Sequence, residues 1–179
     1  MKKQKKQLII LLIVLILGIV GYVVAIYKVD NVEVLDEVGV ISVIKTDTAS
    51  VRNVSYIHDG VTISLSKDDA GNWTLDSDKS IKLDTDKVED IVSYASNLNA
   101  RTEIEDPSDL SEYGLDSPSY IVSFTDAAGV QSTYFIGDRY EVEGTYFAKV
   151  EGSDKVYTIT NYYPDSFITD IEQLKAQSE

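Results

Sequence analysis

His58 is the only histidine in the chain, so any Ser-His-Asp relay or histidine-metal arrangement has to be built on it. It stands beside Asp59-Gly60, a turn signal, with neither a Gly-x-Ser-x-Gly elbow nor a second histidine in support, and it reads as an exposed strand end. With no cysteine, thiolate chemistry, disulfides and cysteine-ligated zinc are excluded. Asp76, Asp78, Asp84, Asp86 and Asp90 offer oxygen donors of the kind calcium takes. Their spacing lacks the Asp-x-Asp-x-Asp-Gly loop with a closing glutamate, and helix capping and solvation account for them. A carboxylate pair for glycoside hydrolysis cannot be singled out among 30 acidic residues. No catalytic residue, metal ligand or cofactor is expected.

Recognition is a better match to the residue types. Twelve tyrosines stand against four phenylalanines, and Tyr134, Tyr140, Tyr146, Tyr157, Tyr162 and Tyr163 crowd the second half. Tyrosine joins apolar area to a hydroxyl, which suits a surface that binds sugar or protein and equally suits the open face of a β-sheet. Tyr140, Tyr146 and Tyr163, with Tyr113 and Asp116 of a turn discussed below, are the candidate binding residues.

The elements that must carry these residues begin with a membrane signal. Met1 to Lys6 holds four lysines, and Leu8 to Tyr27 follows with no charge. Twenty helical residues span about 30 Å, the depth of a bilayer's hydrocarbon core. Lysines before the segment and Asp30, Glu33, Asp36 and Glu37 after it predict a cytoplasmic N-terminus and an exported remainder, that is, a single-pass protein of the cell membrane. A cleaved signal peptide is the rival reading; the apolar run is longer than its usual core of about 7 to 15 residues, which favours an uncleaved anchor. Removing the four N-terminal lysines from 16 basic residues leaves 12 against 30 acids, a formal charge of −18 on the exported part. Such a field repels phosphate backbones, so nucleic acid is excluded as a partner, and it favours cations or basic surfaces.

Residues 1–7 are thus read as a cytoplasmic tail, 8–27 as a transmembrane helix, 28–40 as a stalk and 41–179 as one extracytoplasmic domain. Val51 to His58 and Val61 to Lys67 are strands around the Asp59-Gly60 hairpin turn, with Val61, Ile63 and Leu65 alternating against Thr62, Ser64 and Ser66. Asn72 to Leu75 reads as a third strand with Trp73 at the core. Val88, Ile91, Val92, Ala95 and Leu98 then recur at helical spacing, with Thr85 or Asp86 as cap and Glu89 in capping-box position. Residues 100 to 105 return as a strand. Tyr120 to Thr125, Val130 to Ile136, Thr145 to Val150 and Lys155 to Thr160 are further strands, with a turn at Gly137-Asp138. A last helix starts near Pro164 and carries Phe167, Ile168, Ile171 and Leu174. Residues 41–100 and 101–179 share this element order as a pseudo-repeat. The fold class is α+β: antiparallel β-meanders packed against two helices, preceded by the membrane helix.

The run Asp109-Leu110-Ser111-Glu112-Tyr113-Gly114-Leu115-Asp116-Ser117-Pro118 is followed by Phe135-Ile136-Gly137-Asp138, Gly144 to Lys149 and Val156-Tyr157. Together with Gly71 to Leu75 and the helix after it, these segments resemble the domain-of-unknown-function family DUF4340, over about residues 55 to 175. The resemblance implies an N-terminal membrane anchor, no catalytic residues, and for some members a link to auxiliary parts of ABC-type export and gliding-motility transporters. On the residues alone, Gly114 permits a left-handed turn, Leu115 plugs a core, and Pro118 holds Ser117 extended. The expected function is a membrane-anchored, non-enzymatic extracytoplasmic module that binds a partner protein of a transporter or envelope assembly. The alternative is a domain that binds wall carbohydrate or calcium.

Overall fold

Alternation of apolar and hydroxyl-bearing residues along the strands decides which way each strand faces. A computed structural model describes residues 39–68 and 70–177. The segments expected as cytoplasmic tail, membrane helix (Leu8–Tyr27) and stalk, as far as residue 38, lie outside the described residues. Among the described residues no helix is long and apolar enough to cross a membrane.

The described residues form ten strands: β1 (Ile41–Lys45), β2 (Val51–His58), β3 (Val61–Lys67), β4 (Trp73–Leu75), β5 (Asn97–Ala100), β6 (Thr102–Ile104), β7 (Tyr120–Asp126), β8 (Gln131–Tyr140), β9 (Thr145–Val150) and β10 (Val156–Ile159). Eight make one sheet in the order β4-β3-β2-β7-β8-β9-β10-β6, and β1 with β5 makes a separate ribbon. Every pairing is antiparallel. Two meanders, β2-β3-β4 and β7-β8-β9-β10, join where β2 pairs with β7, placing His58 opposite Tyr120 and Ser55 opposite Ser123. Both edges of the sheet are strands of three residues, short enough to discourage pairing with another chain.

Helix α1 (Thr85–Ser96) buries Val88, Ile91, Val92 and Ala95. Its cap is Asp84, one residue earlier than expected: the side chain accepts from the Lys87 backbone N–H. The second long helix expected from Pro164 is not formed. Two single turns take its place, α2 (Tyr162–Ser166) and α3 (Ile171–Leu174). Phe167 drops out of helical geometry and is buried beside Tyr56, ring centroids 5.1 Å apart, while Asp170 opens the next turn by accepting from Glu172 N–H. Tertiary packing of Phe167 and the short cap break a periodic pattern that looked continuous.

One sheet face and α1 enclose the core, in which Val54, Tyr56, Ile63, Leu65, Val122, Tyr134, Ile136, Ala148 and Ile159 are all buried. On the opposite, outer face the pairing lines residues up in rows across the strands. Ser64, Ser55, Ser123 and Thr133 form one row, bridged by hydroxyl contacts of 3.0 Å (Ser55 to Ser64) and 3.1 Å (Ser123 to Thr133). Thr62, Ile57, Ile121, Phe135 and Lys149 form the next. The turn expected at Gly137-Asp138 is instead a register irregularity within β8, which runs on to Tyr140 before the chain reverses through 141–144.

Candidate functional site

The connection from β6 to β7 has to travel from an edge of the sheet to its middle, and it does so across the outer face. Asp109 starts it: the carboxylate accepts from Ser111 N–H at 2.9 Å, and this backbone hydrogen bond holds the Asp109 carboxyl below the usual carboxylate range. One tight turn, Leu110–Tyr113, ends at Gly114 in the left-handed region, φ 65°. Only a glycine fits there for a second reason. A Cβ on Gly114 would stand 2.8 Å from the Asp138 backbone nitrogen, and a Cβ on Gly137 would overlap the Tyr113 carbonyl oxygen. The Tyr-Gly-Leu-Asp turn is therefore clasped backbone to backbone on the irregular stretch of β8. Leu115 and Val156 are buried but belong to no part of the main core, which marks a second, smaller apolar layer under the crossover.

The clasp brings two of the candidate residues together. Tyr113 meets Phe147 edge-on at 4.9 Å between ring centroids, and Tyr140 lies 5.5 Å from the same ring. All three are half-buried, so each keeps part of its ring at the surface. Around them stand Glu112, Asp116, Asp138, Glu141 and Glu143, all exposed, and the 141–144 turn holds out Val142, 82% exposed. Arg139, which precedes Tyr140 on β8, is paired with Glu141 at 3.0 Å. Asp116, three residues beyond Tyr113, is exposed.

Tyr146 and Tyr163 do not join it. Alternation turns Tyr146 toward the core face, opposite Ile159. Tyr163 is buried, against the expectation of a surface residue: its hydroxyl receives the Asn99 backbone N–H and donates to the Asn97 carbonyl oxygen, and burial pushes its pKa up. It walls a different place, a cavity of about 580 Å³ shared with Tyr94, Tyr162, Asn99, Arg101 and Thr160. Sequence reasoning named neither Tyr94 nor Arg101. Tyr94 lay hidden in a helical pattern, on the flank of α1 rather than at its centre, and Arg101 sits in the single residue between β5 and β6.

His58 is held in place on three sides. Nδ1 lies 3.0 Å from the Ser119 carbonyl oxygen, Nε2 lies 3.4 Å from the Asp59 carboxylate, and the ring stacks on Tyr120 at 3.9 Å. Burial, followed by the charges of Tyr146, Asp59 and Asp165, raises the Tyr120 pKa. A third feature is a groove of about 370 Å³ beside the edge strand β4, where the Lys67 ammonium sits 5.4 Å from the Trp73 ring centroid. Among the described residues no group of three or more His, Cys, Asp or Glu side chains is arranged to hold a metal ion.

These features define an α+β domain on one antiparallel sheet, with an aromatic, acid-rimmed patch at one end of the outer face. Residues 73–178 match the family described as Domain of unknown function (DUF4340), which covers more than half of the chain, and the protein belongs to that family. No curated protein and no solved structure matches the chain. The matched segment starts at β4, so β2, which lies in the middle of the sheet, stands outside it.

Proposed function

We propose that the protein is a membrane-anchored, non-enzymatic extracytoplasmic module that binds a partner protein through the Tyr113, Phe147 and Tyr140 patch, and that the partner is a transporter subunit or an envelope protein. The observation that carries this reading is the composition of the patch: three half-exposed aromatic rings and an outstretched Val142 on segments that also carry the exposed carboxylates of Glu112, Asp116, Asp138, Glu141 and Glu143. Aromatic anchors supply most of the energy in protein interfaces, and a rim of one charge sign selects the partner and speeds its approach. The complementary surface is an apolar segment flanked by lysine or arginine. Leu8–Tyr27 supplies the anchor, and the acidic exported domain keeps the patch away from anionic lipid.

The test places a photocrosslinking residue at Val142 in the full-length protein in its native membranes, with a second version carrying it at Val130, which is 58% exposed at the opposite end of the sheet. A single membrane or envelope protein captured from position 142, absent from position 130 and lost when Tyr140→Ser is combined with Glu141→Lys and Glu143→Lys, supports the reading. Equal capture from both positions, or capture that survives the triple substitution, refutes it.

A further inference from the structure

We infer that the cavity between β5 and α2 is a binding site for a sugar ring carrying an anionic group, a carboxylate or a phosphate. This inference is independent of the partner-protein reading, because the cavity shares no residue with the aromatic patch. Its volume, about 580 Å³, falls in the range of roughly 300–1,000 Å³ typical of small-ligand sites.

The walls supply the two kinds of contact such a ligand needs. Tyr94 and Tyr163 stand edge-to-face with centroids 5.2 Å apart, and Tyr162, 62% exposed, lines the same cavity. Tyr162 and the half-buried Tyr94 give an apolar surface against which the C–H face of a sugar packs, and the buried Tyr163 backs it. The arrangement is rigid where it has to be. The Tyr163 hydroxyl is fixed to the β5 backbone at Asn99 and Asn97, and the Tyr94 carbonyl oxygen accepts from the Tyr134 hydroxyl at 2.9 Å. Pre-set walls of this kind reduce the ordering cost of binding.

Polar recognition comes from Asn99, Thr160 and Arg101. The Arg101 backbone is held by its N–H to the Thr158 carbonyl oxygen at 2.8 Å. Its guanidinium has no ion pair or hydrogen bond among the described residues. In a chain of formal charge −14, an unpaired guanidinium beside three tyrosines is the local exception to a field that otherwise repels anions. Its planar fork matches the two oxygens of a carboxylate or phosphate, while Asn99 and Thr160 offer donors and acceptors to ring hydroxyls.

The experiment is ligand-observed saturation-transfer NMR on the full chain in nanodiscs of neutral lipid, with glucuronic acid, glucose 6-phosphate, glucose and acetate as probes. At least one of the two acidic sugars is expected to bind at about 1 mM, at least several-fold more tightly than glucose and than acetate, and which of the two binds better identifies the anion. Arg101→Gln and Tyr162→Ala alter exposed side chains and are expected to leave the melting temperature unchanged while each weakens binding about tenfold. Glucose or acetate binding as well as the acidic sugars overturns the inference. So does unaltered affinity in Arg101→Gln, or no saturation transfer to any probe.

Discussion

The outer face of the sheet has two halves with opposite fates. Across β3, β2 and β7 it is lined by Ser64, Ser55 and Ser123 with Asn53 and Ser66 beside them, joined by hydroxyl and amide contacts and left half-buried, with Asn53 exposed. Across β8, β9 and β10 the same alternation delivers Phe135, Phe147, Val156 and Thr158, and there the crossover with Leu115 closes over it. All four residues of β10 are buried, which means that both of its faces are covered. The lesson is that one pleat rule serves both halves, while the cost of leaving apolar area wet decides which half acquires a lid.

The largest test of that contrast is the clasp. Gly137→Ala places a methyl group against the Tyr113 carbonyl oxygen and cannot be relieved by rotating a side chain, so the crossover must lift; denaturant unfolding is expected to show a loss of about 3 kcal/mol. A smaller loss, within about 0.5 kcal/mol, would mean that the lid is loosely laid. Next comes the plug. Leu115→Ala removes buried methyl groups beneath the crossover and is expected to cost about 2 to 3 kcal/mol.

The core face of the same strands supplies an alkaline test. Burial raises the pKa of Tyr134 well above its ordinary value and also raises those of Tyr56 and Tyr163. A tyrosine that stays protonated when folded but ionises when unfolded leaves the folded state holding more protons, so stability is complete below the unfolded value near 10 and falls as pH rises through it. Melting temperature measured from pH 8 upward should therefore decline above about pH 10, and Tyr134→Phe should flatten that decline while costing about 1 kcal/mol at neutral pH through the lost bond to the Tyr94 carbonyl oxygen. A decline as steep as that of the wild type would assign the effect to other groups.

The smallest effects sharpen the comparison most. Thr158 on the covered half buries a hydroxyl without a hydrogen-bond partner, so Thr158→Val is expected to stabilise by about 0.5 to 1 kcal/mol. The paired change Ser55→Ala with Ser64→Ala, in the open row, should stay within about 0.5 kcal/mol. If these two results were exchanged, the assignment of wet and covered halves would be wrong.

Much of this fold was legible in the chain because the signals are local. Val61, Ile63 and Leu65 alternate, and the left-handed φ values of Asp59 and Gly60 are what their hairpin requires. Val88 to Ala95 repeat at helical spacing, and Gly114 and Leu115 announce a turn with a plug. The missed features depend on distant partners. The segment from Pro164 to Leu174 has a helical pattern, yet Phe167 leaves it to pack on Tyr56, more than a hundred residues earlier. Gly137-Asp138 looks like a turn, but its glycine serves the approach of another loop. Among the candidate residues, Tyr113 and Tyr140 converge on Phe147, whereas Tyr146 and Tyr163 face inward; one residue of register separates Tyr146 from Phe147 on β9, and sheet pairing sets that register, while Tyr163 is drawn in by the β5 backbone that its hydroxyl bonds.

By itself the sequence determined the class of the domain, most of its strands, its main helix and its acidic character, because propensity, periodicity and charge act over a few residues. The tertiary structure alone decided the order in which two meanders join through β2 and β7, the path of the crossover, and which tyrosines share a site. Those outcomes depend on free energy gained when residues far apart in the chain bury the same surface, and no local pattern encodes that pairing.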